Sequence, residues 1–452
     1  MTCFARWSAV LLAFAVGCGG ARAPSGEPIG ESVRRPTTTA VTTINSADGG
    51  AETLERRAAR VHRNAIVLDS HNDIPSGLYA GNTDLEASTP WTHTDLGRLK
   101  TGGQTAIFFS IYVEGDLAEK PTVTGGGALR RAVDLVDVTY RQVERHPDEL
   151  MLALTAADVR RAKRENKVAV LMGIEGGHAI ENSLSALRVL YRLGCRYMTL
   201  THTNTNEWAD SAGFSGASPV RHHGLTPFGE EVVREMQRLG MLVDISHVSD
   251  ETFRGVMKVA QAPVIASHSS SRALADHRRN LTDEMLKEIA KNGGVAMVNF
   301  WSMFLSNDYA AASKAWSARY GKAWSELRTK YKGDQSALRE AQAKFRREND
   351  PIPKVPFAVL VDHIDHMVKV AGIDHVGLGS DFDGVDALPE GIEGVDAFPK
   401  ITLELLRRGY REEDVVKVLG ENFLRVLDKA EIHAKTKGVR ISADGSTKRI
   451  DR

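Results

Sequence analysis

A closed parallel α/β barrel is the fold class this sequence predicts, and three observations predict it. Eight short apolar runs recur along the chain, at 65–69, 104–113, 168–174, 196–201, 241–246, 263–267, 294–299 and 375–380. Runs of this length and composition read as strands buried on both faces. Helical periodicity fills most of the gaps: Leu129, Val133, Val136, Tyr140 and Val143 recur every three or four residues, as do Leu184, Leu187 and Leu190, and Phe228, Val232, Met236 and Leu239. Six of the runs lead to residues that can hold a metal ion or move a proton: His71-Asn72-Asp73, Glu175, His202, His247, His268 and Asp381. The C-terminal ends of the strands are where a (β/α)8 TIM barrel carries its active site. An open doubly wound sheet is the competing architecture, but it rarely gathers side chains from six strands at one point, so the barrel is preferred.

The bulk properties agree with an enzyme-sized core. Of 452 residues, 42% are hydrophobic, and 58 Lys plus Arg balance 58 Asp plus Glu. A chain of zero formal charge has no one-signed field to steer nucleic acid onto itself, so no nucleic-acid partner is expected. At the N-terminus, Arg6 precedes an apolar stretch from Trp7 to Gly17 that ends at Cys18. This is the layout of a secretory signal, too short to span a bilayer as a stable helix. A cysteine at the cleavage point resembles a bacterial lipoprotein signal, with an ordinary cleaved signal as the alternative. The expected organisation is a signal peptide over 1–18, a Gly/Ser/Thr/Pro-rich linker over 19–51, a barrel over 52–433 and a polar tail over 434–452. The protein is therefore expected to be exported to the periplasm or cell envelope and anchored by lipid on Cys18. Cys195 is left alone in the body of the chain, so no internal disulfide forms there, and a buried thiol is expected.

Residues 302 to about 355 break the strand–helix rhythm with a long charged and aromatic segment containing Trp316, Tyr320, Trp324 and Tyr331. It follows the seventh predicted strand, on the catalytic side of a barrel. A helical insertion that walls the pocket and a solvated decoration are both compatible with that composition.

The chemistry-bearing residues read as follows. In extended chain, residues two apart point the same way, so His71 and Asp73 can bind one ion together. Glu175 lies in Gly173-Ile174-Glu175-Gly176-Gly177, where flanking glycines allow close backbone approach and its carboxylate can bridge two cations. His247 and His268 end successive strands, and neutral imidazole is a good zinc ligand. The set of His, Asp, bridging Glu, His and His suits a pair of Zn²⁺ ions about 3.5–4 Å apart, holding a hydroxide and polarising a carbonyl, with Mn²⁺ or Co²⁺ also compatible. Hydrolysis is the reaction such a centre performs. Asp381 is placed to shuttle a proton, with Asp383 as the competing candidate. His202 can donate to a developing oxyanion. Arg279 can hold a substrate carboxylate bidentately, although spacing alone would allow Arg278 equally.

Taken together these motifs resemble the membrane dipeptidase (renal dipeptidase) family of zinc peptidases, over about residues 55–430. The most specific pieces are Asp69-Ser70-His71-Asn72-Asp73, Gly173 to Gly177, Leu200 to Asn204, Leu225 to Gly229, Asp244 to His247, Ser267 to Ser270, Arg278-Arg279-Asn280, Gly379 to Gly384 and Gly420 to Arg425. The resemblance implies an amidohydrolase-like barrel in which His71 and Asp73 bind one zinc, His247 and His268 the other, and Glu175 bridges them. It selects Arg279 over Arg278 and assigns substrate and proton handling to His202, Arg279 and Asp381. The implied activity is cleavage of dipeptides with a free C-terminus, often a D-residue, and the family is also a source of homodimers. Mammalian members carry disulfides and a C-terminal lipid anchor that have no counterpart here. A metal-dependent acylase or lactonase acting on N-acyl amino acids or cyclic amides is the rival enzymatic reading, and a silent binding lipoprotein on the same fold is the rival outside catalysis.

Overall fold

The computed structural model describes residues 52–81, 83–119, 127–213, 219–331, 335–349, 351–441 and 447–449. The signal and linker expected over 1–51 lie outside the described residues. Nine strands carry the barrel: β1 Leu68–Asn72, β2 Ala106–Tyr112, β3 Leu150–Leu152, β4 Val168–Glu175, β5 Cys195–Thr199, β6 Leu242–Asp244, β7 Ile265–Ala266, β8 Val295–Val298 and β9 Val376–Leu378. Eight of them run in the order β1-β2-β4-β5-β6-β7-β8-β9, all neighbours parallel. β3, which the apolar pattern did not mark, lies off this path on the edge of β4 at Val168–Val170, below the point where β5 begins to pair at Met172.

The ring closes between its first and last strands. Asn72 bridges to Phe382, Asp73 N–H donates to Phe382 O at 2.8 Å and Asp381 N–H donates to His71 O at 3.1 Å. Asp69 completes the seam: it is fully buried, and its Oδ1 accepts the Ser380 N–H at 2.8 Å while its Oδ2 takes the Ser380 hydroxyl. The eight expected runs are thus the barrel strands, and the fold is the (β/α)8 kind.

Helices form where the periodicity placed them. Ala128–Arg145 buries Ala132, Leu135, Val136 and Thr139; Leu184–Arg192 buries Leu187 and Leu190; Pro227–Leu239 buries Val232, Val233 and Met236. The last starts with Thr226, whose hydroxyl accepts from Gly229 N–H, and with Pro at the first helical position, and it stops at Gly240 in the left-handed region. The final helix, Asn422–Thr436, crosses the base of the barrel, where Phe423 meets Phe108 with ring centroids 5.1 Å apart. The expected polar tail from 434 begins inside this helix, and strands Val439–Ile441 and Thr447–Arg449 pair antiparallel beyond it.

The insertion is a helical hairpin, Asn307–Lys330 and Gln335–Glu348, entered through the short helix Ser302–Leu305. Trp316, Tyr320, Trp324 and Phe345 pack on one another between its arms. Its stem is tied to the loop after β9: Asp386 accepts from Trp301 Nε1 at 3.1 Å and pairs with Arg346.

Inside the barrel the fully buried Tyr197 ring fills the space opposite Gly173. A Cβ at Gly173 would lie 1.9 Å from Tyr197 Cζ, too close for any rotamer adjustment to relieve without moving a strand. We expect Gly173→Ala to cost about 1–3 kcal/mol by overpacking, read as a lower urea midpoint. A midpoint equal to that of the wild type would show that the interior has room the structure does not contain.

Candidate metal centre

Alternation along the strands turns Glu175, at the end of β4, into the barrel mouth, where it is 4% exposed. Its two carboxylate oxygens face different partners. Oε1 lies 3.1 Å from His247 Nε2, 3.6 Å from His202 Nε2 and 3.7 Å from His268 Nε2, whereas Oε2 lies 3.6 Å from His71 Nε2. Asp73 Oδ2 is 3.3 Å from the same His71 nitrogen. Asp73 is not extended, as the two-residue spacing assumed; it caps the helix Ile74–Tyr79 at φ −95°, ψ 12°, and still turns its carboxylate to His71.

Three sets of potential ligand atoms, each mutually within 4.8 Å, meet at this point: His71, Glu175 and His268; Glu175, His202 and His247; and His71, Asp73 and Asp381. The expected residues are brought together, with a difference of grouping: His268 falls with His71 and Glu175, and His202 falls with His247 and Glu175. Sharp backbone turns deliver several of these side chains. His247 and Asp381 adopt φ of 68° and 63°, a left-handed conformation that non-glycine residues hold only under constraint. Gly384 leaves the necessary space, since a Cβ there would meet Asp73 Oδ2 at 2.3 Å.

The residues behind the cluster orient it. His71 Nδ1 is 2.8 Å from Tyr197 OH, which itself donates to Ser70 O at 3.1 Å. His268 Nδ1 is 2.7 Å from Ser267 Oγ, and Ser267 Oγ donates to Asp244 Oδ2 at 2.6 Å, as does Thr199 Oγ1. Ser110 Oγ donates to Glu175 Oε2 at 3.1 Å. Asn299 Nδ2 donates to Asp381 Oδ2 at 2.8 Å. Tyr197, Ser110 and Asn299 were not singled out from the sequence. A polar residue alternating inward along an apolar strand is the signal that marks Ser110, but Tyr197 is indistinguishable there from core.

The competing candidates differ in their surroundings. Asp383 is engaged elsewhere: its N–H donates to His93 Nδ1 and its Oδ1 accepts the His93 N–H, both at 2.8 Å. Arg278 is exposed and reaches Ala212 O. Arg279 is only 3% exposed, with Nη1 3.3 Å from Ser269 Oγ, Nη2 3.3 Å from His268 O and its guanidinium 5.3 Å from the Phe304 ring centroid.

Burial sets the protonation of these groups, and their mutual charges correct it. Burial pushes the Glu175 carboxyl up, but His71 and His202 beside it and the close approach of His247 Nε2 hold it well below its usual range. Burial alone would depress His71; Tyr197, Glu175 and Asp73 reverse this and raise it well above its ordinary value. His247 and His268 go the other way, held well below by burial and then by Arg279 and neighbouring imidazoles. Burial raises Asp381 to about 8, with Asp73 and Glu175 adding to the effect and His71 opposing it. Burial brings Arg279 down to about 10.

These residues fit a metal. Imidazole and carboxylate donors of this mix are those of divalent transition-metal sites. His71 Nε2 is a buried nitrogen with no hydrogen-bond partner, and His247 Nε2 and His268 Nε2 approach to 2.8 Å, both turned toward Glu175. Such convergence of imidazole nitrogens on a carboxylate suits a divalent cation.

Barrel and site together define a metal-dependent hydrolase. The chain belongs to the membrane dipeptidase family, peptidase family M19, whose sequence profile matches residues 55–439. Solved structures agree. The probable dipeptidase PvdM from Pseudomonas aeruginosa is similar with a TM-score of 0.70 and 25% identity, over 84% of this chain and 99% of that one. Dipeptidase AC, a family M19 metallopeptidase, gives 0.65 and 26% identity over 81% and 98% of the two chains. A Rhodobacter sphaeroides metallopeptidase liganded with a phosphinate mimic of the dipeptide L-Ala-D-Ala gives 0.65 and 25%, over 81% and 100%.

The neighbours of His71 favour its protonated form in the metal-free site, and a ligating imidazole must be neutral. Metal binding should therefore release protons, and affinity should rise with pH through neutrality. Calorimetric titration of Co²⁺ in buffers of different ionisation enthalpy checks this; a buffer-independent heat would show that His71 is already neutral.

Proposed function

We propose that the protein is a zinc dipeptidase that binds two ions bridged by Glu175 and cleaves dipeptides bearing a free C-terminal carboxylate, accepting a D-residue at that position. His71 and Asp73 would hold one ion and His247 and His268 the other. Ions in such a site polarise the scissile carbonyl and lower the pKa of water to near neutrality.

The chain's own residues supply the rest. His202, whose imidazole burial shifts toward the neutral form and which is 17% exposed at the mouth, carries an N–H that can stabilise charge developing on the carbonyl oxygen. Asp381, held by Asn299 and raised by burial in the metal-free site, would be ionised with cations beside it and would then accept a proton on the water side and return it to the leaving amine. Arg279 fixes the substrate carboxylate. The observation that carries this reading is the buried guanidinium of Arg279 beside the imidazole–Glu175 cluster, since a buried cation there needs an anionic partner and a free carboxylate provides one. The phosphinate mimic of L-Ala-D-Ala bound by the Rhodobacter sphaeroides relative supports acceptance of a D-residue at the C-terminal position.

The test compares a small dipeptide with its C-terminally amidated twin, in L,L and L,D forms, on zinc-loaded protein. The free forms should be cleaved at least 100-fold better, and Arg279→Ala should erase most of that ratio by raising KM and lowering kcat/KM. Equal cleavage of the amide would remove Arg279 from carboxylate recognition, and cleavage only of N-acyl amino acids would establish the acylase reading.

The stretch from Arg6 to Cys18 supports export with a lipid on Cys18. Radiolabelled palmitate should enter the wild-type protein and not Cys18→Ala; equal labelling of both would overturn the anchor.

A further inference from the structure

A cavity of ≈ 10 Å³ is lined by His247, Val248, Asp250, Arg272, Arg279 and Leu281, among others. That is about the space one water occupies. Two buried polar atoms on its lining residues, His247 Nδ1 and Arg279 Nε, have no hydrogen-bond partner among the described residues.

The chemistry of both atoms is constrained. His247 Nε2 faces Glu175 Oε1 at 3.1 Å; with the lone pair of that nitrogen directed to a metal, Nδ1 carries the ring hydrogen and is a donor. Arg279 spends Nη1 on Ser269 Oγ and Nη2 on His268 O, and its Nε–H is a donor in every protonation state a protein allows. Two donors cannot satisfy each other. A group with two lone pairs, small enough for the cavity, satisfies both, and its own hydrogens find an acceptor in the Asp250 carboxylate, which Arg272 grips through both oxygens at 2.8 Å.

We propose that this cavity binds one ordered water that accepts from His247 Nδ1 and Arg279 Nε and donates to Asp250. A metal-ligating imidazole needs a partner on its second nitrogen to fix its tautomer and angle, and here the water supplies it from the guanidinium that also serves the substrate carboxylate. Arg279 is thereby a positioning residue for His247, and Asp250 the carboxylate end of a carboxylate–water–imidazole relay. The inference rests on the reading of His247 as a metal ligand.

Charge and hydrogen bonding make opposite predictions for Arg279, so they can be told apart. Its positive charge opposes a nearby cation, and removal on that ground alone would tighten metal binding. Arg279→Lys keeps the charge and lacks the Nε–H; Arg279→Met lacks both; Val248→Ile keeps every polar group and fills the cavity. Co²⁺ affinity, measured by competition with a chelator, should fall roughly 10–100-fold in all three variants, and a high-resolution structure of the metal-loaded wild type should show the water with His247, Arg279 and Asp250 as its neighbours. Unchanged affinity in Arg279→Lys with tighter binding in Arg279→Met overturns the proposal, as does a dry cavity in that structure. His247→Ala separates the two levels of the argument: if it binds as many ions as the wild type, the assignment of His247 as a ligand fails; if it loses one and Arg279→Lys does not weaken it, only the water relay fails.

Discussion

One buried negative charge governs the arrangement. Glu175 sits 4% exposed at the barrel mouth, and an isolated carboxylate in such a place would be driven to take a proton. It stays ionised because imidazoles converge on it from β1, β5, β6 and β7 and because Ser110 donates to it. The barrel supplies that convergence: only a closed ring of parallel strands directs the C-terminal ends of so many strands at one carboxylate. A divalent cation resolves the same problem more completely, since each bound charge substitutes for protons that the imidazoles would otherwise have to carry.

The surrounding structure serves to hold ligand directions fixed. Asp69 seals the β1–β9 seam directly beneath His71 and Asp381, so the groups on the first and last strands share one rigid joint. Asp244 performs the equivalent task on the other side, joining β5, the end of β6 and the end of β7 through Thr199, Ser246 and Ser267. Each of these carboxylates is fully buried and accepts several hydrogen bonds, which is the condition under which buried polar groups stiffen a structure rather than weaken it. The left-handed turns at His247 and Asp381 are affordable on such supports.

What was legible in the sequence followed from the same physics. A strand buried on both faces must be apolar, so the polar residue that ends it stands out, and His71, Glu175, His202, His247, His268 and Asp381 were visible for that reason. The insertion was visible because charge and aromatic density broke the period. β3 went unmarked although Leu150 to Leu154 is as apolar as the marked runs, and it pairs only where β4 extends below β5. Tyr197 was missed because its hydroxyl is its only departure from a core residue; its role depends on Gly173 opposite, which no local reading connects to it. The separation of Asp381 from Asp383 and of Arg279 from Arg278 depends on distant partners, His93 for the one and Ser269 for the other, and spacing holds no trace of either.

The insertion acquires meaning from where its stem is attached. Trp301, the residue before its first short helix, donates its N–H to Asn299 Oδ1 at 2.6 Å, and the Asn299 amide nitrogen holds Asp381. Its indole and Arg346 of the second arm both end on Asp386, three residues beyond Asp383 on the same loop. Phe304, in that short helix, lies against both the Trp301 ring, at 4.9 Å, and the Arg279 guanidinium. The groups proposed to move the proton and to hold the substrate carboxylate therefore rest on the root of the hairpin. A wholly detached decoration would leave them untouched; this segment is joined at its root to the residues that hold Asp381 and lie against Arg279.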